Sequence, residues 1–188
     1  TDNGADKLRL LYREKNAIIN NLMTFSPDTP EKRLYVSEDD FVDVYPFIPY
    51  QFKLLQEVFT GIRTHGASGK HLSEGERSLL NAFQEAAMQY SSFPDGTLIP
   101  FDAFYSTIVT FLDHNISKVI LQAQDNGRLQ AYDIQILKLL FMVKYIANSL
   151  PADLENLSTL MVENIDQDKL KLKKKVDESL RRLESEKL

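Results

Sequence analysis

Apolar residues recur every three or four positions along most of this 188-residue chain, as in the predicted buried stripe formed by Leu79, Leu80, Phe83, Ala87 and Tyr90. Such spacing places side chains on one face of an α-helix. We find no convincing run of strand length in which polar and apolar residues alternate. The sequence therefore predicts an all-α fold.

Prolines, glycines and capping residues divide this pattern into successive helices. Pro27 and Pro30 end the first helix, and Ser73 and Glu76 have the spacing of a capping box at the start of a later one. We expect the main helices at about 6–25, 49–64, 74–90, 100–124 and 129–148, followed by a short helix near 154–160 and a final helix through 172–183.

The segment 129–148 is apolar nearly all round, which indicates a central helix that its neighbours cover on several sides. The last 60 or so residues contain three helices with short connections, a spacing compatible with a helix-turn-helix or winged-helix core. With a boundary at Gly127, the sequence predicts a multi-helix domain at 1–127 and a helix-turn-helix segment at 128–188.

Composition narrows the classes of function. The chain has no Cys, which excludes disulfides, thiolate metal sites and a Cys nucleophile and suits the cytoplasm. Its net charge of −5 disfavours a general polyanion binder. No apolar run reaches the ~20 residues of a membrane span, and no signal peptide is visible, so we expect no membrane partner.

Both ends look cut from a longer protein, since the chain lacks an initial Met and stops within a helical pattern.

The glycine-containing run 64–71 superficially suggests a phosphate-binding loop. Thr64 stands where the first Gly is required, His71 stands where a Ser or Thr should follow the Lys, and a helix precedes the run instead of a strand. A plain helix connection explains it better.

His65, His71 and His114 do not converge with carboxylates at metal-ligand spacing. We therefore expect no catalytic residue, no metal site and no enzymatic activity in this chain alone.

Arg77 is a cation in the first turn of a predicted helix, where it opposes the helix dipole. Neutralisation by Glu74 and Glu76 is the simpler explanation, and it is the one the sequence favours. The functional alternative is that Arg77 reaches an anion supplied by another domain.

Basic residues crowd the final helix. Its outer face carries Lys171, Lys174 and Arg181 beside Glu178, so it is mixed but net basic. A DNA-reading helix has this appearance, and so does a solvated amphipathic helix, which is the more common case. The cations of this helix are Lys169, Lys171, Lys173, Lys174, Lys175, Arg181 and Arg182.

Several runs in combination carry a family resemblance. They are VYPFIPYQF at 44–52, HGASG at 65–69, LSEGERSLL at 72–80 and NIDQDK at 164–169. Together they resemble the P-loop ATPases of bacteriophage-exclusion (BREX) defence systems, the BrxC/PglY family, over most of the chain.

The resemblance implies a helical, lid-like region at 1–127 and a truncated winged helix at 128–188, without the nucleotide-binding core of the family. ATP and Mg²⁺ would belong to the full-length parent, with no cofactor in this fragment. It also implies two partners, namely the nucleotide-binding domain of the same chain and other BREX proteins, while DNA is a further candidate partner only through the basic face of the final helix. Arg77 matches by position an arginine that senses the nucleotide in related ATPases.

The leading hypothesis is a non-catalytic regulatory segment that couples nucleotide state to conformational change or to partner binding. Two alternatives stay open at this point. One is a DNA-binding module that uses Lys171, Lys174 and Arg181, and the other is a scaffold surface for other defence proteins.

Overall fold

The computed structural model describes residues 2–65, 75–112 and 114–188. Within these ranges every regular element is a helix, apart from one isolated bridge between Thr97 and Asn164. The all-α prediction is confirmed. The α-helices are α1 (Asp2–Leu22), α2 (Glu38–Val44), α3 (Tyr50–His65), α4 (Gly75–Tyr90), α5 (Tyr105–Ile108), α6 (His114–Gln124), α7 (Ala131–Val143), α8 (Leu154–Leu160) and α9 (Lys169–Ser185).

The prediction of one continuous helix at 100–124 is wrong, because the structure divides this segment into shorter helices. A 3-10 turn at Phe101–Phe104 leads into α5, a second 3-10 turn covers Val109–Phe111, and α6 begins at His114. The four residues at 107–110 are all β-branched, which lowers helix propensity at the point of division. Their apolar members still face the core, so periodicity alone did not reveal the break.

Helix α7 is the central helix, as its all-round apolar character predicts. Ile134, Ile136 and Met142 project in different directions around the helix, and all three are buried. It contacts the 3-10 turn Phe101–Phe104 together with α5, α6 and α9. Helix α7 ends at Val143, and a 3-10 turn at Lys144–Ile146 continues the chain.

The turn between α2 and α3 is fixed by the fully buried side chain of Gln51. Its Oε1 accepts from the Ile48 N–H at 2.9 Å, and its Nε2 donates to the carbonyl oxygen of Ile99 at 2.6 Å. The Ile99 N–H in turn donates to the Pro46 carbonyl at 3.1 Å. The distinctive run at 44–52 thus has a structural task, which is to join α3 to the segment that precedes α5.

Buried residues before and after Gly127 belong to one continuous core. The Ser26 N–H donates to Asn156 Oδ1 at 2.8 Å, and the Ile165 N–H donates to the Gly96 carbonyl at 3.0 Å. The domain boundary at Gly127 stays a prediction.

Helix α9 packs against both α7 and α8, but α8 and α9 are joined by the eight residues 161–168, more than the three or four of a helix-turn-helix.

Candidate functional site

Helix α4 presents two different faces. Ala82 and Ala86 are buried on its inner face, where Phe83 packs against other aromatic rings. Its outer face contains two exposed apolar side chains, Leu80 at 62% and Met88 at 76% exposure. At helical spacing these two share a side with other exposed positions. We define the α4 face as Arg77, Leu80, Asn81, Gln84 and Met88.

Arg77 lies at the N-terminal end of the α4 face. It lines a shallow cavity of about 380 Å³ with Ser78, Leu80, Asn81 and Gln84. Arg77 forms no ion pair with any residue that the structure describes. The neutralising role expected of Glu74 falls outside the described residues. The guanidinium is therefore open to an anion from outside this part of the chain.

We define the α9 face as Lys171, Lys174 and Arg181, the residues expected to contact DNA. All three are exposed. Lys174 lies 3.9 Å from the carboxylate of Glu178, and Arg181 lies 3.0 Å from that of Asp177. These carboxylates reduce the positive potential of the face, so its basic character is concentrated at the first half of the helix.

Three other cations of α9 turn inward and hold the fold, namely Lys169, Lys173 and Arg182. Lys169 donates at 2.7 Å both to the Leu22 carbonyl and to Thr159 Oγ1, and burial lowers its pKa although the nearby Glu155 opposes that shift. Lys173 forms an ion pair with Glu155. The cations of α9 thus fall into two sets, one that faces inward and stabilises the fold and one that is exposed on the α9 face.

Arg182 belongs to a buried network that the sequence did not reveal. Its Nη2 donates to Asp133 Oδ1 at 2.8 Å and its Nε to Oδ2 at 2.9 Å, while Ser179 Oγ donates to Oδ1 at 2.6 Å. The Gln130 N–H supplies a further donor at 2.8 Å. The only sequence signal was Asp133 three residues after Gln130, the spacing of a capping box at the start of α7.

A second buried carboxylate, Asp102, lacks such donors. Its Oδ1 has no hydrogen-bond partner among the described residues, and the same holds for the hydroxyls of Tyr105 and Tyr132. Burial raises the pKa of Asp102 to about 7, with Lys138 opposing the shift and Glu163 adding to it. Asp102 thus lies buried against α7 without the donors that surround Asp133.

The histidines do not form a site. His65 is exposed at the end of α3 and His114 is exposed at the start of α6, while His71 and most of the run 64–71 lie outside the described residues. In the ranges that the structure describes, no cluster of three His, Asp or Glu side chains is arranged to hold a metal ion. In the same ranges no helix is long and apolar enough to cross a membrane.

No family model matches the chain, and no solved structure matches it. What the α4 and α9 faces bind must therefore be inferred from their own geometry and charge.

Proposed function

We propose that this chain is a non-catalytic regulatory segment of a larger AAA-like ATPase of the BREX type. In that role it couples the nucleotide state of a neighbouring domain of the same protein to conformational change or to the binding of other BREX proteins. ATP and Mg²⁺ belong to the neighbouring domain. The motif resemblance supports the family, and the α4 face is the observation that carries the role.

The α4 face combines the two features that a nucleotide-dependent contact needs. Leu80 and Met88 are exposed on a helix whose opposite face already packs into the core, so burial of these side chains requires a second surface. Apolar area removed from water contributes about 25 cal/mol per Å². These two side chains would provide a contact that holds the segment against its neighbour.

Arg77 would make this contact sensitive to the nucleotide. A cation in the first turn of an exposed helix costs about 0.3–1 kcal/mol against the helix dipole. A phosphate group offsets that cost, because it is attracted both to the guanidinium and to the positive end of α4. Arg77 would therefore favour docking of the α4 face while a phosphate is present at the interface.

The test is ATP turnover of the full-length parent carrying Arg77→Ala. We expect turnover to fall and ATP affinity to weaken by about 5- to 150-fold, the usual range for coupling between two binding sites. Arg128→Ala is the matched control, because Arg128 is exposed in the connection between α6 and α7 and lies 3.7 Å from Glu186. Turnover and ATP affinity equal to wild type in Arg77→Ala would remove the sensor role.

DNA binding by the α9 face is the second candidate. It is favoured by Lys171, which is exposed and has no ion-pair partner among the described residues. Each phosphate contact contributes about 0.9 to the slope of log affinity against log salt. If the candidate is right, changing Lys171 and Lys174 to Ala together lowers that slope by about 2. Unchanged DNA affinity in this double variant argues against it.

A further inference from the structure

A cleft of about 830 Å³ opens between α3, the start of α6 and the residues 144–149. Its volume lies within the range of small-molecule sites. Lys53 and Glu57 line it from α3, and Lys144, Asn148 and Ser149 line it from the chain that follows α7. None of these residues belongs to the α4 or α9 face.

A smaller recess of about 350 Å³ adjoins the cleft, because Lys53, Glu57, Asn148 and Ser149 border both. The recess adds the side chain of Lys32, whose Nζ donates to the Ser149 carbonyl at 2.8 Å. It also adds Arg33 and Glu31 at its rim, and Arg33 is paired with Asp40 at 2.9 Å.

The floor of the cleft is held by a close backbone contact. A Cβ atom at Gly61 would lie 2.5 Å from the Tyr145 carbonyl oxygen and 2.8 Å from Tyr145 Cβ. Only glycine permits this approach of α3 to the 3-10 turn Lys144–Ile146. The two walls that carry Lys53 and Lys144 are therefore fixed relative to each other.

Cations outnumber carboxylates in the cleft, although the whole chain has a net charge of −5. Neither Lys53 nor Lys144 forms an ion pair with a residue that the structure describes, and Lys144 lies 5.9 Å from the centroid of the Tyr145 ring. Burial lowers the pKa of Lys32, with Glu57 opposing that shift and Lys53 adding to it. The cleft thus carries Lys53 and Lys144 against the single carboxylate of Glu57, and the recess adds Lys32 and Arg33 against Glu31.

Two oxygen atoms of the same region have unused hydrogen-bonding capacity. Glu57 Oε2 is occluded from solvent and has no partner among the described residues, and the Tyr50 hydroxyl at the base of the recess is in the same state. A carboxylate oxygen without a donor is costly when buried. A ligand hydroxyl in the recess would supply that donor once the side chains that cover Oε2 shift aside.

We propose that the cleft binds a small phosphorylated polyol, with its phosphate between Lys53 and Lys144 and one of its hydroxyls donating to Glu57 Oε2. The phosphate matches the excess of ammonium groups, and the hydroxyl matches the unpaired carboxylate oxygen. The site is separate from the α4 face, so it does not depend on the proposed regulatory function.

The probe is ribose 5-phosphate, titrated into the 188-residue chain by isothermal calorimetry, with ribose and inorganic phosphate as separate arms. We expect ribose 5-phosphate to bind more tightly than either part. Lys53→Ala and Lys144→Ala should each weaken its binding by about fivefold. Glu57→Gln should reduce the preference for ribose 5-phosphate over inorganic phosphate.

Lys118→Ala is the matched control, since Lys118 is exposed on α6 outside the cleft. Its affinity should equal that of wild type, and thermal melting of each variant checks that the fold is kept. The proposal is overturned if ribose 5-phosphate does not bind at millimolar concentration. It is equally overturned if inorganic phosphate binds as tightly, or if the Lys53 and Lys144 variants bind like wild type.

Discussion

Two buried carboxylates next to α7 have opposite surroundings. Asp133, in the first turn of α7, accepts hydrogen bonds from Arg182, Ser179 and the Gln130 N–H. Asp102, in the 3-10 turn that packs against the same helix, has an Oδ1 atom without a partner among the described residues. One carboxylate is surrounded by donors, and the other lacks a donor at one of its two oxygens.

The difference shows in their pKa values. Burial alone would raise the pKa of Asp133, but the hydrogen bonds from Arg182 and Ser179 outweigh it and the pKa is lowered. Burial prevails at Asp102, whose pKa rises to about 7. Burial of a carboxylate is thus compatible with ionisation only where donors replace the lost water. Replacement of each Asp by Asn should therefore change stability in opposite directions.

The largest effect is expected at Asp133. Asp133→Asn removes the charge that Arg182 pairs with and leaves an amide group facing donors. Loss of one partner of a buried ion pair costs about 3–5 kcal/mol, and we expect about 3 because the Arg182 side chain is 30% exposed. The free energy of unfolding from urea titration at pH 7 measures it.

The control for this variant is Asp177→Asn, since Asp177 pairs with Arg181 on the exposed side of α9. We expect a change within about 0.5 kcal/mol there. The deficit of Asp133→Asn should also shrink as the pH falls below about 4, because the unfolded wild-type chain then binds a proton at Asp133 that the native state, with its lowered pKa, does not bind. A deficit as small as that of the control would show that the network adds nothing to stability.

The second effect has the opposite sign. The native pKa of Asp102 is about 7 and the unfolded value is about 3.9, so the native state binds the extra proton between these pH values. The contribution of Asp102 to stability therefore falls as pH rises from about 4 to about 7. Asp102→Asn removes this loss, and we expect the variant to be more stable than wild type by about 2 kcal/mol at pH 8.

Unfolding curves of wild type and Asp102→Asn at pH 5 and pH 8 measure this difference. The advantage of the variant should be small at pH 5 and larger at pH 8. An equal difference at both pH values, or a less stable variant at pH 8, would contradict the elevated pKa of Asp102.

The sequence predicted the helical class and the central position of α7, because burial on all sides leaves an apolar signature in one segment. It did not predict the partners of Asp133, since Arg182 lies 49 positions away and local spacing carries no information about that distance. The same limit applies to the α9 cations. Lys169 and Arg182 look like exposed basic residues in the pattern, and only tertiary contacts show that they are turned inward.

The candidate site, too, was predicted only in part. Arg77 was singled out because a cation conflicts with the dipole of its own helix, which is a local property. Exposure of Leu80 and Met88 was not predicted, since the stripe of α4 includes Leu80 with the buried positions until the packing is known. The cleft beside α3 was missed altogether, because Lys53 and Lys144 come together only through the close contact at Gly61.

The smallest effect is expected at Ser179, and it tests how much this hydroxyl, compared with Arg182, contributes to the stability of the Asp133 network. Ser179 Oγ donates to Asp133 Oδ1 at 2.6 Å in a fully buried position, but Arg182 also donates to that oxygen. Ser179→Ala therefore leaves Asp133 partly satisfied, and we expect a loss of about 1 kcal/mol in the free energy of unfolding. Ser185→Ala is the matched control on the same helix, because its hydroxyl is exposed and donates only to the Arg182 carbonyl. A loss at Ser179 close to that of Asp133→Asn would mean that the hydroxyl, and not the guanidinium, keeps the carboxylate ionised.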